Sequence, residues 1–530
     1  MPKQILRFPK QFPYALLLFI LGICGVALPY ITNGNLPGDS GDSYFNAYIL
    51  EHFYLALTGK VESFVTASFF YPLKYTVLFS DNHWGTGFIY SYFRSEGFTT
   101  EQSFAGWFLV GFILNYWTSF YVYRKLELSQ LASSIAAFLF TFALPVLAQD
   151  GHAQLIYRPY VAFAVLAAYR YTHSKNLYHA AFAFLMLSLQ FLVSVYNGLF
   201  LLYFLIALVA VELIASPKDK IKNLLPKEFC LTKSIPILIV AIAVLLLFAI
   251  PYLETKNLYN FGRSWWEIKS GIPQIQSYFL ADNSSLWFKD LTIFKQLEQT
   301  TARLENQMFI GIGGALALLI LYLRKGLLGE SDVAFKFGYS TILVVAFTMM
   351  IGCFTLYPLL TLLVPGSTSI RAVAREILVL LFPIGYLVGL AIDRIRNFNF
   401  TTLSASTITF IICALIVIDP IFASKSITTT KIWQDRLKNL EAKITKPLDQ
   451  SSILAVSSLS CADEIDAMIL AQKLNVKTIN GYFGNYPGRK GGWRMLTTMD
   501  DVEYRIRGNE ETDTIDRNKI VYIGFENHAK

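Results

Sequence analysis

Residues 12–32, FPYALLLFILGICGVALPYIT, are the first stretch apolar enough and long enough to cross a bilayer. A crossing helix needs about 20 such residues, because each adds about 1.5 Å against a hydrocarbon core of about 30 Å. The run is too long for a signal-peptide core and carries no clear small-residue cleavage site, so it reads as a retained first span. Comparable runs follow at 101–123, 130–148, 155–172, 177–194, 197–215, 234–253, 307–323, 335–353, 372–392 and 404–424. Of the 530 residues, 54% are hydrophobic and only 15% charged; soluble domains carry roughly a quarter charged residues. The expected fold class is a mainly α-helical polytopic membrane protein with about eleven transmembrane helices.

The basic residues give the orientation. Lys3, Arg7 and Lys10 precede the first run, and Arg124 and Lys125 follow the second. Arg170 and Lys175, the lysine-rich 216–233 loop, Arg324, Lys325 and Lys336, and Arg394 and Arg396 all fall on one side if the spans alternate. By the positive-inside rule that side is the cytoplasm, with the C-terminus outside. The net charge of +8 is thus a topology signal, and no nucleic-acid partner is expected. The stretch 83–95, HWGTGFIYSYFRS, is short and has His83 and Arg94 near its ends, so it reads as an interfacial or re-entrant piece; as a span it would invert everything after it. The five scattered cysteines show no metal or disulfide spacing.

Residues 1–424 form the expected membrane domain, with outer loops at 32–100 and 254–306. From 425 to 530 the charge rises. SSILAVSS, VKTING and KIVYIGF read as strands, and ADEIDAMILAQKL and TTMDDVEYRI as helices. A small extracytoplasmic α/β domain is expected there.

Directly after the first span comes LPGDSGDSYFNAYILEH, residues 36–52. Asp39 and Asp42 sit in a glycine-rich turn ahead of a helical, aromatic stretch that fits a helix lying on the membrane surface. The plain alternative is that Asp39 shapes the turn and Asp42 or Ser43 caps the helix. Further polar groups fall at similar depth on the outer side. They are Asp81 and His83 in FSDNHWG, Asp150, His152 and Arg158 in AQDGHAQLIYRP, Tyr196 in SVYNGLF, and Arg371 and Arg375 in LVPGSTSIRAVARE. Arginines four apart share a helix face and suit a phosphate, which guanidinium grips with two parallel bonds. Equally, they can reach lipid headgroups. His152 can be an ordinary interfacial histidine, Asp81 a cap near His83, and Trp265 and Trp266 interfacial anchors.

These strings resemble the GT-C superfamily of polytopic glycosyltransferases. GDSGDSYFNAYILEH, with its D-x-x-F-N spacing, is similar to the first outer loop of oligosaccharyltransferase catalytic subunits. GHAQ…RP, YNGLF and VPGSTSIRAVAR are similar to segments of a bacterial branch of the superfamily. The chain departs from the oligosaccharyltransferase pattern at SWWEI, residues 264–268, where no WWDYG-type acceptor motif stands. Recognition of a peptide sequon is therefore not implied.

The resemblance implies an inverting transfer of sugar from a polyprenyl-phosphate-linked donor to a glycan or lipid-linked acceptor outside a bacterial inner membrane. Asp42 would be the general base, and Asp39 would position it or help it hold a divalent cation, Mg or Mn. Arg371 and Arg375 would bind the donor phosphate, with Asp81, His83, His152, Arg158 and Tyr196 lining the substrate site. The aromatic, basic stretch 480–493 is a candidate acceptor groove. The reading from another class is a transporter or flippase of lipid-linked glycans, against which count nearly charge-free spans and the lack of paired repeats. Sugar, acceptor and oligomeric state are not legible.

Overall fold

The computed structural model describes residues 13–215, 225–226, 231–281, 285–287, 302, 304–323, 331–396, 404–484, 494–507 and 515–525. Lys3, Arg7, Lys10, Arg324, Lys325 and most of the lysine-rich 216–233 loop lie outside them.

A helix lies in each of the eleven apolar runs: Pro13–Gly22, continued in tighter and wider turns to Tyr30, then Thr100–Lys125, Gln130–Phe142, Pro159–Ser174, Leu177–Val193, Val195–Ala215, Leu231–Tyr259, Ile312–Leu323, Asp332–Thr348, Ile377–Ile395 and Ala405–Phe422. Among the described residues, six stretches are long and apolar enough to cross a membrane, and Leu177–Val193 and Ile312–Leu323 are shorter apolar helices. The molecule is a mostly helical membrane protein. Its helix starts carry the expected caps: the side chains of Ser129, Asn176, Ser331 and Ser404 each accept an otherwise orphaned N–H.

Packing follows from residue size. Gly385 and Gly389, one turn apart on Ile377–Ile395, face Ala136 and Ala132 on Gln130–Phe142. A Cβ on Gly385 would stand 3.1 Å from the Ala136 carbonyl, and one on Gly389 would stand 3.1 Å from that of Ala132. Small residues four apart let two backbones approach, which is how apolar helices associate where the hydrophobic effect no longer drives them together. In the middle of the bundle, 89% and 83% of the residues are buried in the apolar 18-residue windows of Gln130–Leu147 and Val373–Ile395. In the apolar 18-residue window of Leu231–Tyr259 only 17% of the residues are buried, and the helix turns Ile239, Val240, Leu246 and Leu247 outward. So large an apolar exposure needs an apolar medium.

At the end carrying Arg124, Lys125 and Arg394, Glu212 joins Lys175 (3.0 Å) and Lys336 (2.9 Å), tying three helices. Ser129 N–H donates to Asp393 at 2.7 Å. At about 1.5 Å per residue, the 19 residues of Ile377–Ile395 separate that end from the opposite one, where the long loops gather.

The tail forms a three-stranded parallel sheet in the order 477–478, 453–456, 520–523. Ile453 and Ala455 point to one face, against Val502 and Ile506 of the helix Met499–Arg507. Leu454 and Val456 point to the other, against Ala467 and Leu470 of the helix Cys461–Leu474. A parallel sheet covered on both faces reads as a continuous apolar run, which ILAV is. The sheet continues into the loop 32–100: Thr478 N–H donates to the Ser68 carbonyl (2.9 Å) and Phe70 N–H to that of Asn480 (3.0 Å). Residues 35–37 pair antiparallel with 427–429, and Trp433, 1% exposed, packs on Tyr44.

This docking corrects one expectation. The helix Asp42–Leu57 forms where predicted, but it does not lie on a surface: every residue from Ser43 to Phe53 is buried. The loop that follows the helix covers most of the face the sequence pattern leaves for the membrane, with Phe69 on Tyr48, Phe64 and Phe88 on Phe53 and Ser63 on His52, and the tail adds Tyr482 on Phe45. The segment 83–95 yields a helix of nine residues, Gly87–Ser95, too short to span.

Candidate active site

Six chain segments meet at the end opposite Arg394, each held by its own local chemistry. The first is the turn before Asp42–Leu57. Gly38, at φ +77°, lets Ser43 fold in beneath it and donate to the Gly151 carbonyl at 2.9 Å. Neither Asp42 nor Ser43 caps the helix, so the carboxylate of Asp42 stays available for contacts across the fold. The second segment, 149–155, is pinned by Asp150, which accepts from the Tyr30 hydroxyl (2.7 Å) and Ser426 N–H (2.8 Å). That anchor sets His152 beside Asp42, with Nδ1 to Oδ2 at 2.7 Å.

The third segment brings Glu305. Met308 N–H donates to the Ser277 carbonyl (3.0 Å) and Phe309 N–H to that of Leu280 (2.9 Å), which fastens the chain just after it. Glu305 lies 3.7 Å from Nε2 of His152. The fourth segment carries the arginines. Ala374 N–H donates to the Gly271 carbonyl at 3.2 Å, and a Cβ on Gly271 would meet the Arg371 carbonyl at 2.0 Å. The backbone there answers to a neighbouring loop, so regular helix begins only at Ile377. Arg371 and Arg375 therefore share no helix face, contrary to the four-residue spacing. Arg375 is buried and grips Glu305 with Nε and Nη2, both at 2.8 Å. Arg371 is 47% exposed, with its guanidinium 3.9 Å from Glu305.

Tyr196, at the start of Val195–Ala215, lies under the Arg375 guanidinium (4.9 Å to the ring centre), and its hydroxyl accepts from Arg371 N–H at 3.3 Å. The sixth segment comes from the tail: the Tyr482 hydroxyl donates to Oδ1 of Asp42. Acid and base thus alternate from Tyr482 through Asp42, His152 and Glu305 to Arg375.

Burial by itself would raise the Asp42 carboxyl. Hydrogen bonds from His152 and Tyr482 and the charges of His152 and Arg375 outweigh it and hold the group below its ordinary value. For His152, burial and the Arg375 charge push downward, but the bond to Asp42 and the nearby Glu305 carboxylate win and the imidazole stays protonated to higher pH than usual. Glu305 is held far below the carboxylate range despite burial, chiefly by the Arg375 charge.

The other predicted residues lie outside this chain of contacts, with Asp81 near enough for the charges of Arg375 and His152 to act on it. Asp39 is exposed and accepts from Gly41 N–H at 2.9 Å, shaping the turn. With Asp39 folded onto its own backbone and Asp42 holding two donors, the pair does not fit a cation as arranged, and no group of three or more His, Cys, Asp or Glu among the described residues could hold a metal ion. Asp81 accepts from Val195 N–H at 2.7 Å, fastening the start of Val195–Ala215 and not the helix after His83. Burial pushes its carboxyl up to about 6. His83 is buried behind Asp42–Leu57, bonded to Asn46 at 2.6 Å. Arg158 is also buried, donating to the Leu378 carbonyl at 2.8 Å over the Phe140 ring. Trp266 is 76% exposed. Lys490 and the rest of 485–493 lie outside the described residues.

Residues 14–363 match the family described as "Domain of unknown function (DUF6311)". The chain belongs to that family. No curated protein matches it. Among solved structures, this DUF6311 chain shares its fold with the oligosaccharyltransferase AglB of Archaeoglobus fulgidus in complex with an inhibitory peptide and a dolichol-phosphate. The TM-score is 0.50 at 10% identity, over 93% of this chain and 68% of that one. A second structure of the archaeal enzyme, tethered to an acceptor peptide containing the NVT sequon, gives 0.49 at 12% identity, over 94% and 68%. The arabinofuranosyltransferase AftD from Mycobacteria gives 0.43 at 12% identity, over 84% of this chain and 29% of that one. The DUF6311 chain thus spans about two thirds of the archaeal structures. The family match ends before Arg371, Arg375 and Tyr482.

Two members of the cluster were not singled out from sequence. Glu305 sits in QTTARLENQMFIG with no motif around it; its one signal is a lone carboxylate just before an apolar run. Tyr482 falls in the aromatic stretch 480–493, which pointed to a groove but not to a residue.

Proposed function

We propose that this protein is an integral-membrane glycosyltransferase of the GT-C type, which moves a sugar from a polyprenyl-phosphate-linked donor to an acceptor hydroxyl on the extracytoplasmic side. The observation that carries this reading is the meeting of Asp42, His152, Glu305, Arg371 and Arg375 at one end of the apolar helices. The AglB-like fold supports it. In this reading all eleven helical runs cross the membrane, and the tail lies outside with the cluster.

Outside the membrane no nucleotide sugar is at hand, so the donor arrives on a lipid, with its phosphate at headgroup depth. The acceptor oxygen attacks the anomeric carbon. The new C–O bond forms as the bond to the phosphate oxygen breaks, and the phosphate leaves with that electron pair. The hydroxyl proton passes to Asp42. A carboxylate held at low pKa is a weak base toward a resting alcohol, so the proton moves late, once bonding to an oxocarbenium-like carbon has made the hydroxyl acidic. One displacement inverts the anomeric configuration. Charge grows on the leaving phosphate, where electrostatic stabilisation matters most. Arg371, half exposed, is the first guanidinium to meet it; Arg375 follows as the phosphate takes over from Glu305.

The test is transfer in proteoliposomes from a panel of labelled polyprenyl-phosphate hexoses and pentoses. Asp42→Asn lowers the rate by about 100- to 10,000-fold, the range for a positioned acid–base group, with folding unchanged by thermal melt. Full-rate transfer by Asp42→Asn removes the base assignment. Absence of transfer from every donor by folded wild type removes the reaction class.

A further inference from the structure

The tail reaches into the cluster with the Tyr482 side chain, whose placement is built from several directions. Gly481 N–H donates to Glu464 at 2.8 Å. Glu464 is fully buried, takes a two-pronged bond from Arg505 (3.0 Å each) and accepts from Ser458 at 2.6 Å. From the other side the Phe70 ring fills the space a Cβ on Gly481 would need, at 2.4 Å. Arg263 donates to the Gly484 carbonyl at 2.6 Å, closing the far end of the loop. Between these anchors the Tyr482 ring stands edge-on to Phe45 (5.6 Å between centres), and its hydroxyl meets Asp42.

His152 holds Oδ2 and Tyr482 holds Oδ1. Each carboxylate oxygen has two acceptor directions, so a donor on each oxygen fixes the rotamer and still leaves a lone pair for an acceptor hydroxyl. We infer that Tyr482 is a positioning residue: its hydroxyl holds Oδ1 of Asp42 in line for the acceptor's proton, so the α/β tail is a working part of the transferase site. This rests on the transferase reading of Asp42. Among the described residues, the charged and titratable groups facing Asp42 are His152 on the 149–155 loop, Arg375 ahead of Ile377–Ile395, Tyr482 on the tail loop and Cys461 at the start of Cys461–Leu474, with Glu305 beyond His152.

Tyr482→Phe keeps the ring on Phe45 and deletes one hydroxyl. Losing a hydrogen bond to the charged carboxylate lowers kcat about tenfold, leaves KM for the donor unchanged, and moves the acid limb of the pH–rate profile to higher pH, because the bond favours the ionised form. Gly481→Val pushes the loop off Phe70 and gives the same shift in a folded protein. Wild-type kcat with an unmoved acid limb overturns the inference. So does a lower KM for the acceptor with kcat kept, which would make Tyr482 an occupant that the acceptor displaces. Asp42's titration, read as the carboxyl infrared band that Asp42→Asn removes, needs no turnover. If wild type transfers nothing, the transferase reading fails, and this band still decides whether Tyr482 acts on Asp42.

Discussion

Glu305 and Arg375 show how much one pair can matter at the residue scale. Arg375 is buried and has both guanidinium prongs on Glu305. Removing one partner of such a pair leaves a buried charge uncompensated, at a cost of about 3–5 kcal/mol. Glu305→Ala is therefore expected to lower stability in detergent by about 3 kcal/mol, toward the low end because Glu305 itself is 18% exposed. The double variant Glu305→Ala with Arg375→Met recovers much of the loss, since it removes the stranded charge too. Equal melting temperatures for the single and double variants would deny the pair this role. Asp42, His152, Arg371, Arg375 and Tyr196 were legible as candidates because each sits in a polar string at the end of an apolar run. Glu305 was not, because its importance lies in Arg375, 70 residues away in the chain.

The decisive contacts at the element scale are backbone approaches. Gly385 and Gly389 let two central helices touch. Gly389→Leu forces a side chain into space filled by Leu128 and the Ala132 backbone, and overpacking of this kind costs about 1–3 kcal/mol. Its melting temperature falls below wild type, whereas the same change at the open Gly338 leaves it unchanged. A normal melt for Gly389→Leu would mean that the two helices part easily. Helix identity was readable from apolar run length. The failure of Arg371 and Arg375 to share a face was not, because Gly271, far back in the chain, takes the hydrogen bond that would have begun the helix earlier.

Across the whole molecule, two ends of opposite character face each other over one set of helices. Arg124, Lys125, Arg394 and the Lys175–Glu212–Lys336 network mark one end; the cluster and the docked tail mark the other. By the positive-inside rule a reporter fused after residue 125 faces the cytoplasm and one fused after residue 440 faces outside. Both reporters on one side would break the arrangement on which the transfer reaction depends.

The sequence by itself determined that this is a membrane protein of many helices with an α/β tail, because run length and apolar alternation act over neighbouring residues. Only the tertiary structure decided that the tail closes over the helix Asp42–Leu57, that Glu305 holds Arg375 and that Tyr482 reaches Asp42. Those contacts join residues tens to hundreds of positions apart, and no local period or motif encodes which distant polar groups will share one buried volume.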